Sequence, residues 1–137
     1  MKKYLLALVA IVLPLFASAQ VQTWKNDPAH SRMGFSIKHL AVSEVSGFFA
    51  DFATIVTYSK ADYSDMNIQV TAKVASINTG IEMRDNHLKT ADFFDAEKYP
   101  EMTFVSTKVE KVDDNNAKLY GNLTLHGVTK AVELKIA

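Results

Sequence analysis

The side chains in this sequence whose types could do chemistry fall into two short clusters and a scatter of histidines. Asp27, His30 and Ser31 lie within five residues, and an acid, an imidazole and a hydroxyl are the raw material of nucleophilic hydrolysis. Adjacent residues of a strand point to opposite faces, however, so His30 is badly placed to activate Ser31. No Gly-x-Ser-x-Gly elbow and no acidic pair with glycosidase spacing accompanies them. The second cluster is Arg84-Asp85-Asn86-His87. A guanidinium grips a carboxylate or phosphate through paired hydrogen bonds, so Arg84, with His87 or Lys89, could meet the polar end of an amphiphile. Equally, Arg84 and Asp85 could cap a helical turn and pin it down. Asp92, Asp95 and Glu97 follow closely and would weaken an anion site there. His30, His39, His87 and His126 raise the question of a metal, but none is at His-x-x-x-His spacing and the chain has no cysteine. The residues therefore designate no catalytic group, no metal and no cofactor, and the plain role of each histidine is a hydrogen bond to a loop or carboxylate.

The elements that would position these groups are strands. Met33, Phe35 and Ile37 alternate with Arg32, Ser36 and Lys38, the period-two signature of a half-buried strand. Phe48, Ala50, Phe52, Thr54, Val56 and Tyr58 form a second inward set, with Gly47 a bend at its start. Ile68, Val70, Ala72 and Val74 form a third, and Met102 with Phe104 a fourth. Leu119, Leu123 and Leu125, then Val132, Leu134 and Ile136, complete six runs of an antiparallel meander. Asp113-Asp114-Asn115-Asn116 reads as the hairpin tip between two of them. His39 to Val45 and Glu82 to Phe94 do not alternate and read as helical or irregular insertions. In the second, Met83, His87 and Leu88 have the spacing of one helical face. Whether such a barrel is filled by side chains or left open for a ligand is not decided by pattern. Small residues on the presumed inner faces (Gly34, Ala50, Ala72, Ser106, Gly121) fit both outcomes.

The termini and composition bound the rest. A basic Met1-Lys2-Lys3, an apolar run from Leu5 to Ala17 and Ala17-Ser18-Ala19 before Gln20 have the form of a secretory signal peptide over residues 1–19, too short to span a bilayer. Its removal leaves a domain over residues 20–137, without stable membrane insertion, periplasmic or secreted. Loss of Lys2 and Lys3 takes the basic count from 15 to 13 against 15 acidic residues, a formal charge of −2. With no clustered basic surface, that excludes nucleic acid as a partner. The absence of cysteine excludes a disulfide framework and a lipidated N-terminal cysteine.

Three blocks then carry a family likeness. Asn78 to Ser106 holds Arg84-Asp85-Asn86-His87-Leu88, Asp92-Phe93-Phe94-Asp95 and Tyr99-Pro100 before Met102-Thr103-Phe104-Val105-Ser106. Asp27-Pro28-Ala29-His30-Ser31 leads into Phe35-Ser36-Ile37-Lys38-His39-Leu40, and Gly121-Asn122-Leu123-Thr124-Leu125-His126-Gly127-Val128-Thr129-Lys130 follows later. From Trp24 to the last residue the chain resembles the YceI-like family of secreted, lipocalin-like, polyisoprenoid-binding proteins. The resemblance implies an all-β fold with short helical insertions, a lipocalin-like antiparallel β-barrel. It implies non-enzymatic binding of an isoprenoid or similar lipid in an apolar cavity, as a periplasmic carrier or store. Read with the alternation, it makes Met33, Phe35, Ile37, Phe48, Phe52, Ile68, Val70, Phe104, Leu123 and Leu125 the cavity lining, and Arg84 and His87 the polar contacts. The alternative is a packed barrel serving stress response or interaction without a physiological ligand, and a homodimer is a further option. Family domains continue past the Leu-Thr-Leu-His-Gly-Val-Thr-Lys block, so the expectation is that C-terminal strands are missing here and that the barrel is incomplete.

Overall fold

The computed structural model describes residues 20–39 and 43–137, so the expected signal peptide lies outside the described residues. These residues form nine strands, one short α-helix and a turn of 3-10 helix at Val74–Ser76: β1 (Gln22–Lys25), β2 (Met33–His39), β3 (Ser43–Phe49), β4 (Phe52–Tyr58), β5 (Asn67–Lys73), β6 (Ile77–Asn78), α1 (Glu82–Leu88), β7 (Glu101–Lys111), β8 (Ala117–Leu125) and β9 (Val128–Ile136). Every pairing is antiparallel. Six strands make one sheet in the order β1-β4-β5-β7-β8-β9, and three make a second in the order β2-β3-β6. This is the all-β, lipocalin-like barrel architecture, with a single short helix inserted between β6 and β7.

Turn chemistry sets the register of the last three strands. At the β7–β8 tip the Asp113 carboxylate accepts the Asn115 N–H at 2.8 Å and the Asn116 side-chain amide at 2.8 and 2.9 Å. His126 and Gly127, at φ 51° and 71°, supply the two positive-φ residues that a tight hairpin between β8 and β9 requires.

The expected run from Phe48 to Tyr58 is in fact two strands in different sheets. The chain crosses between them at Ala50 and Asp51, and the crossing inverts the alternation. Phe49, 5% exposed, is the residue of β3 that enters the core, while Phe48 pairs with Gly34 and Asn78 on the opposite face. Phe48, Gly34 and Ala50 therefore leave the set of inward residues, whereas Ala72, Ser106 and Gly121 stay in it. The stretch from His39 to Val45 is also corrected. β2 runs through His39 and β3 starts at Ser43, paired with each other, and Lys38, Ser43 and Glu44 are exposed strand residues; residues 40–42 lie outside the described residues. α1 turns a different face inward from the expected one. Asp85 is buried and Leu88 packs on the core, while Met83 is 82% exposed and His87 is exposed. The reason is polar: Asp85 is drawn in by hydrogen bonds that Met83 cannot make.

The core is Phe49, Ala72, Val74, Ile77 and Met102, with Met33, Phe35, Phe52, Leu88, Phe94, Ala96, Leu123 and Leu125 packed around it. It forms where the small sheet and the α1 segment cover one end of the large sheet. Phe35 and Phe49 meet at 5.7 Å between ring centroids, and Phe94 meets Phe49 edge-on at 6.2 Å. Two glycines make room for rings. A Cβ at Gly47 would come within 2.6 Å of the Phe35 ring, and one at Gly121 within 2.4 Å of Phe104, so both strands lie closer to an aromatic ring than any side chain permits.

Candidate ligand-binding site

The inner face of the large sheet is mostly apolar but covered at one end only. Cross-strand register sets out its rows: Phe52, Ala72 and Met102; then Thr54, Val70, Phe104 and Leu123; then Trp24, Val56 and Ile68; then Tyr58, with Leu119 and Leu134 paired farther along. The first row meets Phe49 and Ile77 of the small sheet. Beyond it the face opens. Val56, Tyr58, Ile68 and Val132 are only half-buried, and Trp24 is 63% exposed.

Three concavities follow from that geometry. Trp24, Val56, Tyr58, Tyr63 and Met66 line a cavity of about 220 Å³. Leu123, Leu125, Val128, Lys130 and Val132 line another of about 310 Å³. A third, of about 450 Å³, lies between the loop at Ala61–Met66 and the β7–β8 tip and reaches Val109, Ala117 and Ile136. A fourth, of about 460 Å³, occupies the corner where the chain passes twice between the sheets, at residues 26–32 and 48–52.

Of the ten expected lining residues, Met33, Phe35, Phe52, Phe104, Leu123 and Leu125 lie on or against the core, and Ile68 and Val70 are on the inner face of β5. Ile37 shares that orientation but is 58% exposed at the far end of β2. Phe48 lies on the outer face, under the Arg32 guanidinium at 4.5 Å. The inner face of the large sheet also carries Leu119, named by the alternation but left out of the expected lining, and Lys130, which the alternation passes over, as it does Phe49 of the small sheet. Lys130 shares parity with Val128 and Val132, and it pairs with Leu123.

The structure does not bring Arg84 and His87 to any of these concavities. Arg84 donates from Nε to the Thr79 hydroxyl at 2.7 Å and from Nη2 to the Thr79 carbonyl at 2.8 Å. Asp85 accepts the Thr79 N–H at 2.8 Å and the Thr79 O–H at 2.5 Å. Both charged side chains thus close on one threonine and fasten α1 to the chain just after β6, the capping and pinning alternative. His87 stands outside, edge-on to Phe93 at 4.9 Å and 3.6 Å from Asp92.

Asp27 and His30 do meet, Nδ1 to Oδ2 at 2.7 Å, in an exposed turn. That bond first, and the Ala29 N–H second, hold the Asp27 carboxyl below the ordinary carboxylate range. Ser31 has no hydrogen bond to His30, so the turn contains an acid and an imidazole without an attached nucleophile. Among the described residues no three histidine, aspartate or glutamate side chains gather as a metal site.

Comparison with known proteins gives the same answer along most of the chain. A family model described as the YceI-like domain matches residues 24–137. A UPF0312 protein of Photorhabdus laumondii is 42% identical over 137 residues, spanning 98% of this chain and 71% of that protein. Among solved structures, the Campylobacter jejuni YCEI protein is 39% identical with a TM-score of 0.64, covering 98% of this chain and 67% of that one. A domain from Saccharophagus degradans described as polyisoprenoid-binding and implicated in plant cell wall breakdown shares the fold at 18% identity and a TM-score of 0.61, over 85% of this chain and 66% of that one. Sequence, register and fold together make this chain a member of the YceI-like family.

Proposed function

We propose that this protein binds a polyisoprenoid or similar amphiphilic lipid, without catalysis, on the open apolar inner face of its large sheet, and acts as an exported carrier or store. The observation that carries the proposal is the uncovered half of that face. Val56, Tyr58, Ile68 and Val132 of β4, β5 and β9 face inward and are only half-buried, a state that costs free energy unless something apolar fills it. The YceI-like family membership and the polyisoprenoid-binding description of the structurally similar domain support the choice of ligand class. The two clusters best suited to catalysis offer no reaction: one is spent on Thr79 and the other lacks a nucleophile.

A prenyl tail of roughly twenty carbons, at about 0.8 kcal/mol per buried carbon, gains a gross term near 16 kcal/mol on leaving water. A bilayer offers the tail the same gain, so net transfer depends on fit and on the head group. The test is organic extraction and mass spectrometry of the exported protein. A bound prenyl lipid is expected in the wild type and is expected to be lost in Leu123→Asp and Val56→Asp, which place an unpaired charge on the apolar inner face of the large sheet. Prenyl occupancy retained in folded samples of both variants would overturn the assignment.

A further inference from the structure

The corner cavity has a chemistry unlike that of the other three. Its floor is Phe49 and Phe52, which belong at the same time to the core between the sheets. Its rim holds Arg32, His30 and Asn26, and the carboxylate bonded to that rim, Asp27, is taken up by the His30 Nδ1 and the Ala29 N–H. Among the described residues, the Arg32 guanidinium has no acidic partner and rests on the Phe48 ring. Stacking holds that group in place while leaving its N–H fork free to grip a planar anion. His30 gives its Nδ1 to Asp27, which orients the ring and leaves Nε2 unclaimed. Asn26 accepts the Thr54 N–H through Oδ1 at 2.8 Å, which leaves its –NH2 as a donor. Two donor groups, on Arg32 and Asn26, thus border an aromatic floor, and each is held by a contact made elsewhere on its own side chain.

We propose that this corner, bounded by Asn26, His30, Arg32 and Phe48, is a head-group site for a monoanionic amphiphile, an isoprenoid or fatty carboxylate, whose apolar part passes the half-buried Phe52 toward the open part of the inner face. The inference rests on the lipid-binding reading above and adds to it the charge of the ligand and the end at which that charge sits. One guanidinium is the only fixed positive charge on the rim, which matches a carboxylate better than a diphosphate. The expected Arg84 contact is thereby replaced by Arg32, a residue the sequence presents only as the outward neighbour of Met33.

Binding of farnesoic acid and farnesol, identical in chain and different in head group, tests it by fluorescence competition or calorimetry. The wild type is expected to prefer the acid. Arg32→Gln is expected to weaken the acid about ten-fold, the loss typical of one charge-assisted hydrogen-bonded pair, and to leave the alcohol unchanged. Lys130→Gln, in the cavity lined by Leu123 and Val132, is expected to leave the preference for the acid over the alcohol intact, whatever it does to the affinity for both. Equal affinity for acid and alcohol in the wild type, or tighter binding of farnesyl diphosphate than of the acid, would overturn the monoanion site while leaving lipid binding standing. Loss of the preference in Lys130→Gln and not in Arg32→Gln would move the head group to the other cavity. Failure of the wild type to bind either probe would overturn the lipid reading and this inference together.

Discussion

At the scale of residues, the charged side chains that look most functional in this chain are spent on structure. Asp85 holds both the N–H and the O–H of Thr79, and Arg84 holds the same hydroxyl and the carbonyl. Removing the carboxylate leaves a partly buried backbone N–H without its acceptor, an error worth roughly 1–3 kcal/mol. Asp85→Ala is accordingly expected to lower the thermal midpoint by several degrees, and equilibrium unfolding of wild type and variant checks it. Gly121→Ala is expected to cost about as much by a different route. Its new Cβ would meet two atoms of the Phe104 ring below 3 Å, so the ring must move within a packed core. These roles were only half legible beforehand. The Arg-Asp-x-His order is plain in the sequence, but Thr79, which decides what the order does, is a lone threonine six residues upstream with no pattern of its own.

At the scale of elements, alternation located most strands well. The runs at β2, β5, β7, β8 and β9 carry their apolar residues on one face because each lies in a sheet with one covered side. What alternation cannot show is a change of sheet within a run. Phe48 to Tyr58 keeps an unbroken even-numbered pattern, yet Ala50 and Asp51 carry the chain to the other sheet and make Phe49 the inward residue. β1 and β6, at four and two residues, are too short for any periodicity to register. Charge pairs between and along these strands set the pH response. Lys73 is raised above the ordinary lysine range by its hydrogen bond to Glu101, and Lys118 by its bond to Glu133 in the neighbouring strand, 3.2 Å away. A group raised on folding stabilises the fold below its ordinary pKa, and that contribution disappears as the pH climbs past the folded value. Asp65, lowered by the Ser59 hydroxyl, and Asp113, lowered by the Asn115 N–H, act in the other direction. Their contribution is present above the ordinary carboxylate pKa and is lost as the pH falls below it and through the lowered folded value. Denaturant midpoints measured across pH should therefore be flat through neutrality and fall at both extremes, each step small because the groups are exposed and screened. A midpoint rising steadily on the acid side would contradict this.

At the scale of the whole molecule, the large sheet has β1 and β9 as its outer strands among the described residues, and the outer backbone of β9 is unpaired there. Val128 and Leu134 are exposed on that strand. An unpaired, apolar edge is a template for another strand, and Lys130, Glu133 and Lys135 oppose such pairing only in part. Residues 20–137 are expected to self-associate with rising concentration. Light scattering coupled to size exclusion checks this, and a single monomeric species up to high micromolar concentration would count against it.

The one-sided placement of the core gives the two ends of the molecule different tolerance to change. Ala72 and Val74 have essentially no exposure, so any larger or smaller side chain there must be absorbed by neighbours that have no slack. Val56, Ile68 and Val132, on the half-buried part of the same sheet, have space on one side and can vary in volume at little cost to folding. Stability is then vested in one end and the shape of the proposed binding surface in the other. Changes of ligand size could accumulate over Val56, Ile68 and Val132 without passing through unfolded intermediates. A library randomised at those three positions should keep a far larger folded fraction than one randomised at Ala72, Val74 and Ile77, as judged by proteolysis survival.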